Sequence, residues 1–193
     1  MTEKVIESFS RLSTYCIRED YKGYDPFEEY KLNPKKKRYH FYINDFDYAL
    51  ALLYKEGHLF ITGSTNYIDI NKNRQSVLTQ LSLIEELIPY HDFSFNYLDF
   101  QSDNPLSEKI VSSTKLTTIF WANFYGKPYV EKYGREFLLN APGWKTAELN
   151  DGSIEYIISE DIFTPVESKL ETEIIKYFSQ KVKVKLYRPI PIK

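Results

Sequence analysis

The stretch from Leu116 to Gly143 reads LTTIFWANFYGKPYVEKYGREFLLNAPG, and no other window is as dense in large apolar and aromatic side chains. Phe120, Trp121, Phe124, Tyr125, Tyr129, Tyr133 and Phe137 crowd into it, broken by Gly126-Lys127-Pro128. Ile119, Phe120 and Phe124 suit a short helix that Gly126 ends. Pro128 suits the first turn of a second helix, where its missing N–H costs nothing. Tyr129, Val130, Tyr133, Phe137 and Leu138 then recur at helical spacing as far as Asn140. Gly134 inside that helix costs about 1 kcal/mol relative to Ala, which points to another backbone packed close against it. The stretch therefore predicts a central helical unit packed on a sheet, its rings serving the core ahead of any binding face.

Downstream, WKTAELN, Asp151-Gly152 and SIEYIIS (Trp144 to Ser159) predict a hairpin whose two-residue turn needs positive φ at both positions. Thr164-Pro165-Val166-Glu167 reads as a capping box, opening a helix with Val166, Leu170, Ile174, Tyr177 and Phe178 on one face. The alternation Lys181-Val182-Lys183-Val184-Lys185-Leu186 predicts a strand with lysines on one side, a pattern that discourages edge-to-edge association.

Upstream, Val5, Phe9, Leu12 and Cys16 recur on one helical face, so Thr2 to about Ile17 is expected to be a helix capped by Thr2. Residues 21–38 have no period and hold Gly23, Asp25-Pro26 and Asn33-Pro34, the composition of a loop. Its first half is acidic and aromatic, and it ends in the basic run Lys35 to Arg38. Tyr39 to Asn44 alternates as a strand, and Asp47 to Thr62 reads as a hairpin turning near Glu56-Gly57. Helix competes over 46–54, where Ala49, Leu50 and Leu53 also fit its period. Asp69-Ile70-Asn71-Lys72-Asn73 imitates a calcium loop, but Arg74 stands where Gly is required and Gln80 where a bidentate Glu is required. Asn71 or Asn73 is read instead as the cap of a helix running to about Ile88, with Val77, Leu81, Ile84, Leu87 and Ile88 buried and Pro89 stopping it. Phe93, Phe95 and Tyr97 alternate in a further strand. The sum is an α+β chain, one domain over 1–193, with a mostly antiparallel sheet and four to five helices packed on it.

The chain has 193 residues, 42% of them hydrophobic, enough for a packed core without staples. With 17 Tyr, 13 Phe and 2 Trp, several rings must reach the surface, where Tyr supplies stiff amphipathic contact area. A net charge of −2 argues against a partner held by bulk electrostatics, so no direct nucleic-acid binding is expected. One cysteine, Cys16, excludes an intramolecular disulfide. No run approaches a membrane span and the first residues lack the apolar core of a signal peptide, so a cytoplasmic protein is expected.

Chemistry is mostly refused. His40, His58 and His91 stand far apart with no ligand at metal spacing, so no metal and no cofactor are expected. There is no G-x-S-x-G, no P-loop and no G-x-G-x-x-G. Acidic pairs such as Asp45/Asp47 and Glu160/Asp161 are what 27 acids in 193 residues produce by chance. No catalytic residue is assigned.

The segment FWANFYGKPYVEKYGREFLLNAPGWKTAELNDGSIEYIISED (Phe120 to Asp161) resembles bacterial immunity proteins of polymorphic toxin systems. An aromatic-Trp-x-Asn helix leads there into Gly-x-x-Tyr-Val-Glu-x-x-Gly and a β-hairpin. The resemblance covers about a fifth of the chain. It implies a cytoplasmic inhibitor without catalysis, a monomer or homodimer, whose partner is a cognate toxin domain, often a nuclease. Acids would meet the basic substrate site of such a toxin and Tyr rings would anchor it, which puts Tyr21, Tyr24, Asp25, Glu28 and Glu29 forward as the toxin-binding site. Two other classes stay open: a small-molecule or nucleotide-processing enzyme with a pocket at Trp121, Asn123 and Tyr125, and a homo-oligomeric interaction protein using the same aromatic surface.

Overall fold

The computed structural model of the protein describes residues 15–16, 38–43, 46–53, 58–63, 70–90, 93–99 and 108–187. The chain is α+β with mostly antiparallel strands, as its patterning predicts, and five α-helices occur among the described residues. Two compact units divide it, Met1–His91 and Asp92–Lys193.

In the first unit, β1 (Tyr15–Cys16), β2 (Arg38–Ile43), β3 (Phe46–Leu53) and β4 (His58–Gly63) form an antiparallel sheet in that order. The predicted hairpin is present, with Leu50 opposite Ile61 and Leu53 opposite His58. The β reading of 46–54 thus prevails over the helical one. His40 lies opposite Ala49 and His58 opposite Leu53, which keeps the two histidines apart along β3. Cys16 is not on a helix: it pairs with Tyr42 in β1. Tyr15 and Cys16 gain a ladder partner only through the fold, and that pairing overrides the local period. The rest of the helix predicted from Thr2 lies outside the described residues.

The helix after this sheet is α1 (Ile70–Leu87), followed by a 3₁₀ turn at Ile88–Tyr90 where Pro89 falls. Leu81, Leu87 and Ile88 are buried as predicted. Asn71 and Asn73 sit inside the helix and do not cap it; the helix begins one residue ahead of Asn71.

In the second unit, β5 (Phe95–Leu98), β7 (Ala122–Tyr125), β9 (Ile154–Ile157) and β8 (Lys145–Glu148) make an antiparallel sheet in the order β5-β7-β9-β8. A two-stranded parallel pair joins β6 (Thr118–Ile119) to β10 (Lys185–Leu186). The helices are α2 (Glu108–Ser112), α3 (Lys127–Tyr133), α4 (Arg135–Leu139) and α5 (Ser168–Phe178). The described strands thus fall into two four-stranded sheets and this short pair.

Ile119 and Ala122 to Phe124 are strand, with a bend at Phe120–Trp121 between them, and not the predicted short helix. Every residue of β7 and β9 is buried, so the alternation that marks a half-exposed strand is missing. A short run buried on both faces reads alike as helix or strand. One face of the sheet carries α3 to α5: the Phe95 ring lies 5.2 Å from that of Tyr129, and Tyr156 lies 5.8 Å from Phe178. Phe178 meets Phe137 edge-on, at 5.6 Å and 88°.

The second helix of the opening stretch is interrupted. Pro128 sits in its first turn as predicted, but Gly134, at φ +93°, ψ +134°, separates α3 from α4. A Cβ there would meet only the Lys181 ammonium at 3.5 Å, so the glycine answers a backbone need and not close packing. Lys181 in turn donates to the Tyr133 carbonyl, filling an acceptor that the break leaves open, and its ammonium lies 4.7 Å from the centre of the Phe137 ring.

The hairpin β8–β9 is where it was expected, with a different turn. Gly152 N–H donates to the Leu149 carbonyl, Leu149 N–H to Ser153, and positive φ occurs only at Gly152 (+82°). Asp151 keeps negative φ because its carboxylate accepts from both the N–H and hydroxyl of Ser153, at 3.0 and 2.6 Å. The capping box also fails: Thr164 bonds Asp161 instead, and α5 starts at Ser168 with Glu167 as an N-cap that makes no side-chain bond. Its core face holds, with Ile174 and Phe178 fully buried. Only Lys185–Leu186 of the last predicted strand is paired, though the alternation survives: Lys181, Lys183 and Lys185 are exposed and Val184 is buried.

Candidate functional site

Asn123 and Tyr125 lie on β7, the strand flanked by β5 and β9, and Trp121 immediately precedes it. All three are buried, at 5%, 0% and 0% exposure. The polar side-chain atoms of Trp121 and Asn123 serve the main chain. Asn123 Oδ1 accepts from Phe120 N–H at 2.9 Å, and its Nδ2 donates to the Phe120 carbonyl at 2.8 Å and the Tyr156 carbonyl at 3.3 Å. The side chain thereby closes the bend between β6 and β7 and ties it to β9. Trp121 Nε1 donates to the Ser159 carbonyl at 3.0 Å, while its main-chain N–H donates to Asp99 Oδ2 at 2.8 Å. Phe120 stacks on Tyr97, two residues before Asp99, with ring centres 3.8 Å apart.

Replacing Asn123 by Ala removes three buried hydrogen bonds and strands both main-chain groups of Phe120. Each orphaned buried group costs about 1–3 kcal/mol, so a loss of about 2–4 kcal/mol is expected in a denaturant titration. A loss below about 1 kcal/mol would contradict this role.

Tyr125 stands apart. Its hydroxyl is buried with no hydrogen-bond partner. Burial pushes it well above the ordinary phenol value, and the neighbouring Tyr156, Tyr129 and Tyr133 reinforce the shift. Tyr129 rises to about 12, from burial first and Tyr133 second. Tyr133 is fastened at both ends of its hydroxyl, accepting from Leu116 N–H at 2.9 Å and donating to the Thr114 carbonyl at 3.1 Å. Tyr156 donates to Pro142 at 2.7 Å, and burial raises its phenol. Raised in this way, the phenols of Tyr125, Tyr129 and Tyr156 hold their protons tightly near neutral pH.

The charged residue that sequence reasoning missed is Glu155, fully buried on β9 opposite Phe124 and Ala147. Lys145 on the adjacent strand pairs with it at 2.6 Å. The signal was a lone acid inside the apolar run Ile154, Tyr156, Ile157. The cation neutralises the carboxylate where it stands, which suits register-setting more than proton transfer. Among the described residues no three His, Cys, Asp or Glu side chains gather as metal ligands. Tyr21, Tyr24, Asp25, Glu28 and Glu29 lie outside the described residues.

The chain was compared with protein-family models, with curated proteins and with solved structures, and none matches. No helix among the described residues is long and apolar enough to cross a membrane.

Proposed function

We propose that this chain is an immunity protein, which binds a cognate bacterial toxin domain in the cytoplasm and neutralises it without catalysis. The resemblance of Phe120 to Asp161 motivates the reading. One observation carries it: the polar atoms of the aromatic-Trp-x-Asn element, Trp121 Nε1 and both ends of the Asn123 amide, all bond the protein's own main chain. Residues engaged in this way build a scaffold and leave recognition to the surface. Two of the three pocket residues of the enzyme reading, Trp121 and Asn123, are engaged in these same bonds. Trp144, 51% exposed ahead of β8, supplies a large apolar side chain to that surface, of the type that dominates protein interfaces.

The partner best suited to the acidic, Tyr-rich stretch that holds Tyr21 to Glu29 is a toxin with a basic substrate site, such as a nuclease. Co-expression with the variable C-terminal domain of a large secreted protein, sought immediately upstream of this chain's gene, should restore growth, and the two should co-purify. Growth arrest despite expression of both would overturn the reading. Within the complex, the double variant Tyr24→Ala/Glu28→Ala is expected to weaken binding by about tenfold or more, the scale of a truncated anchor. Unchanged affinity by calorimetry would move the site off that stretch while leaving the inhibitor reading intact.

A further inference from the structure

Three segments of the second unit meet where β10 runs beside β6. Lys185 lies opposite Thr118, and Lys185 N–H donates to the Thr117 carbonyl at 3.1 Å, so the Lys181–Lys185 segment flanks Lys115 to Thr118. The end of α3 joins both. Lys132 donates to the carbonyls of Ser113 (3.0 Å) and Thr114 (2.7 Å) just past α2, and Lys181 donates to Tyr133. The result is one region holding Lys109, Lys115, Lys132, Lys181, Lys183 and Lys185, every one exposed. The same segments contain two acids, Glu108 and Glu131, and Glu131 faces Lys127 one turn earlier at 3.9 Å. Among the described residues no carboxylate pairs with Lys109, Lys115, Lys183 or Lys185. Lys132 and Lys181 bond neutral carbonyls and keep their charge uncompensated.

The composition of this face selects its partner. A protein interface wants buried aromatic or Arg anchors and is depleted in Lys. A membrane-surface element wants apolar side chains beside its cations. The large exposed apolar residues among those described are Leu78 and Trp144, and neither belongs to these segments. Ammonium groups alone, flexible and strongly hydrated, act as point charges on phosphates. We infer that this face binds the phosphate backbone of a nucleic acid without reading its sequence. The whole-chain charge of −2 led to the opposite expectation because a sum over the chain hides charge gathered on one side. The inference is independent of the immunity reading, since it uses none of the residues assigned to toxin contact.

Fluorescence anisotropy of the full chain with a labelled duplex of arbitrary sequence, over a salt series, tests it. Binding should be measurable at low salt and fall steeply as salt rises. The variant Lys115→Gln/Lys183→Gln/Lys185→Gln should lower low-salt affinity about tenfold or more and flatten the log–log salt slope by about 2–3, nearly one phosphate contact per lysine. Its melting temperature should match the wild type, because those three side chains hold nothing in the fold. Should the triple variant lose its fold, Lys183→Gln alone carries the test, with a slope change of about 0.9. Absence of binding at low salt overturns the inference. So does a slope untouched by the substitutions, which places binding elsewhere. Tighter binding to polyglutamate or to anionic vesicles than to the duplex overturns it also, by assigning the face to an acidic protein or a lipid surface.

Discussion

Gly126→Ala is expected to unfold the protein, or to cost at least about 4 kcal/mol, the range reserved for core overpacking without relief. The backbone at Gly126 is ordinary: φ −72°, ψ 174°, which any residue adopts. Space is the constraint. A Cβ at this position runs into the carbonyl oxygen of Phe93, and stands 3.0 Å from both the Phe93 carbonyl carbon and the Ser94 oxygen. These are main-chain atoms, held by the ladder that Gly126 N–H itself extends to Ser94 at 2.9 Å. They cannot swing aside as a side chain would. Gly134→Ala is the control, since its Cβ meets only a flexible lysine tip and its cost is the positive φ, about 1–3 kcal/mol. Denaturant midpoints should therefore rank wild type, Gly134→Ala and Gly126→Ala in falling order. A folded Gly126→Ala protein more stable than Gly134→Ala would contradict the packing of β5 against the start of α3.

This contrast marks where the sequence stops being readable. Both glycines stand in the same aromatic stretch, and close packing was expected at Gly134. The neighbour that crowds Gly126 lies more than thirty positions earlier, across a ladder that no local pattern announces. Elements whose causes are local were legible: the β3–β4 hairpin, α1, the hairpin after Trp144, the buried face of α5 and the alternating lysines. Elements whose causes are tertiary were not. Tyr15–Cys16 became strand through pairing with β2, and Ala122 to Phe124 became strand within β7, whose faces are both covered. Competition among short polar side chains misled the turn readings, as Asp161 captured Thr164 and Asp151 captured Ser153. The site divides in the same way. That the rings of this stretch serve the core was legible in their density; that alternate strand positions put Asn123 and Tyr125 on one face of β7, with Trp121 just ahead of it, was not, since a short helix was expected there. That Asn123 bonds Tyr156, thirty-three positions away, was not, and this bond turns a pocket candidate into a structural tie.

Between pH 10 and 12 the protein should lose stability steeply, because its buried tyrosines keep their protons longer folded than unfolded. In the unfolded chain these phenols titrate near the ordinary value of 10.0; in the folded protein Tyr129 is raised to about 12, and Tyr125 and Tyr156 are raised further by burial. The sign follows from linkage. Below pH 10 both states hold the protons and the clusters contribute no pH dependence. Above it the unfolded state releases protons that the folded state retains, so unfolding is favoured as pH rises. Each such group contributes about 1.4 kcal/mol per pH unit, and three together about 4, enough to exhaust the stability of an ordinary domain within about two units. Lysines titrate in the same window, so the tyrosine share is read from variants. Tyr125→Phe is the informative one. It removes a buried hydroxyl that has no partner, and should therefore leave the neutral-pH stability unchanged or raise it by about 1 kcal/mol. The same change should flatten the alkaline slope by about 1.4 kcal/mol per pH unit. Tyr156→Phe should flatten the slope equally but lower neutral-pH stability, since its hydroxyl donates to Pro142. Unfolding curves at pH 7 and through the alkaline range separate the two. If both variants kept the wild-type slope, proton retention by these rings would not be the cause of the alkaline loss.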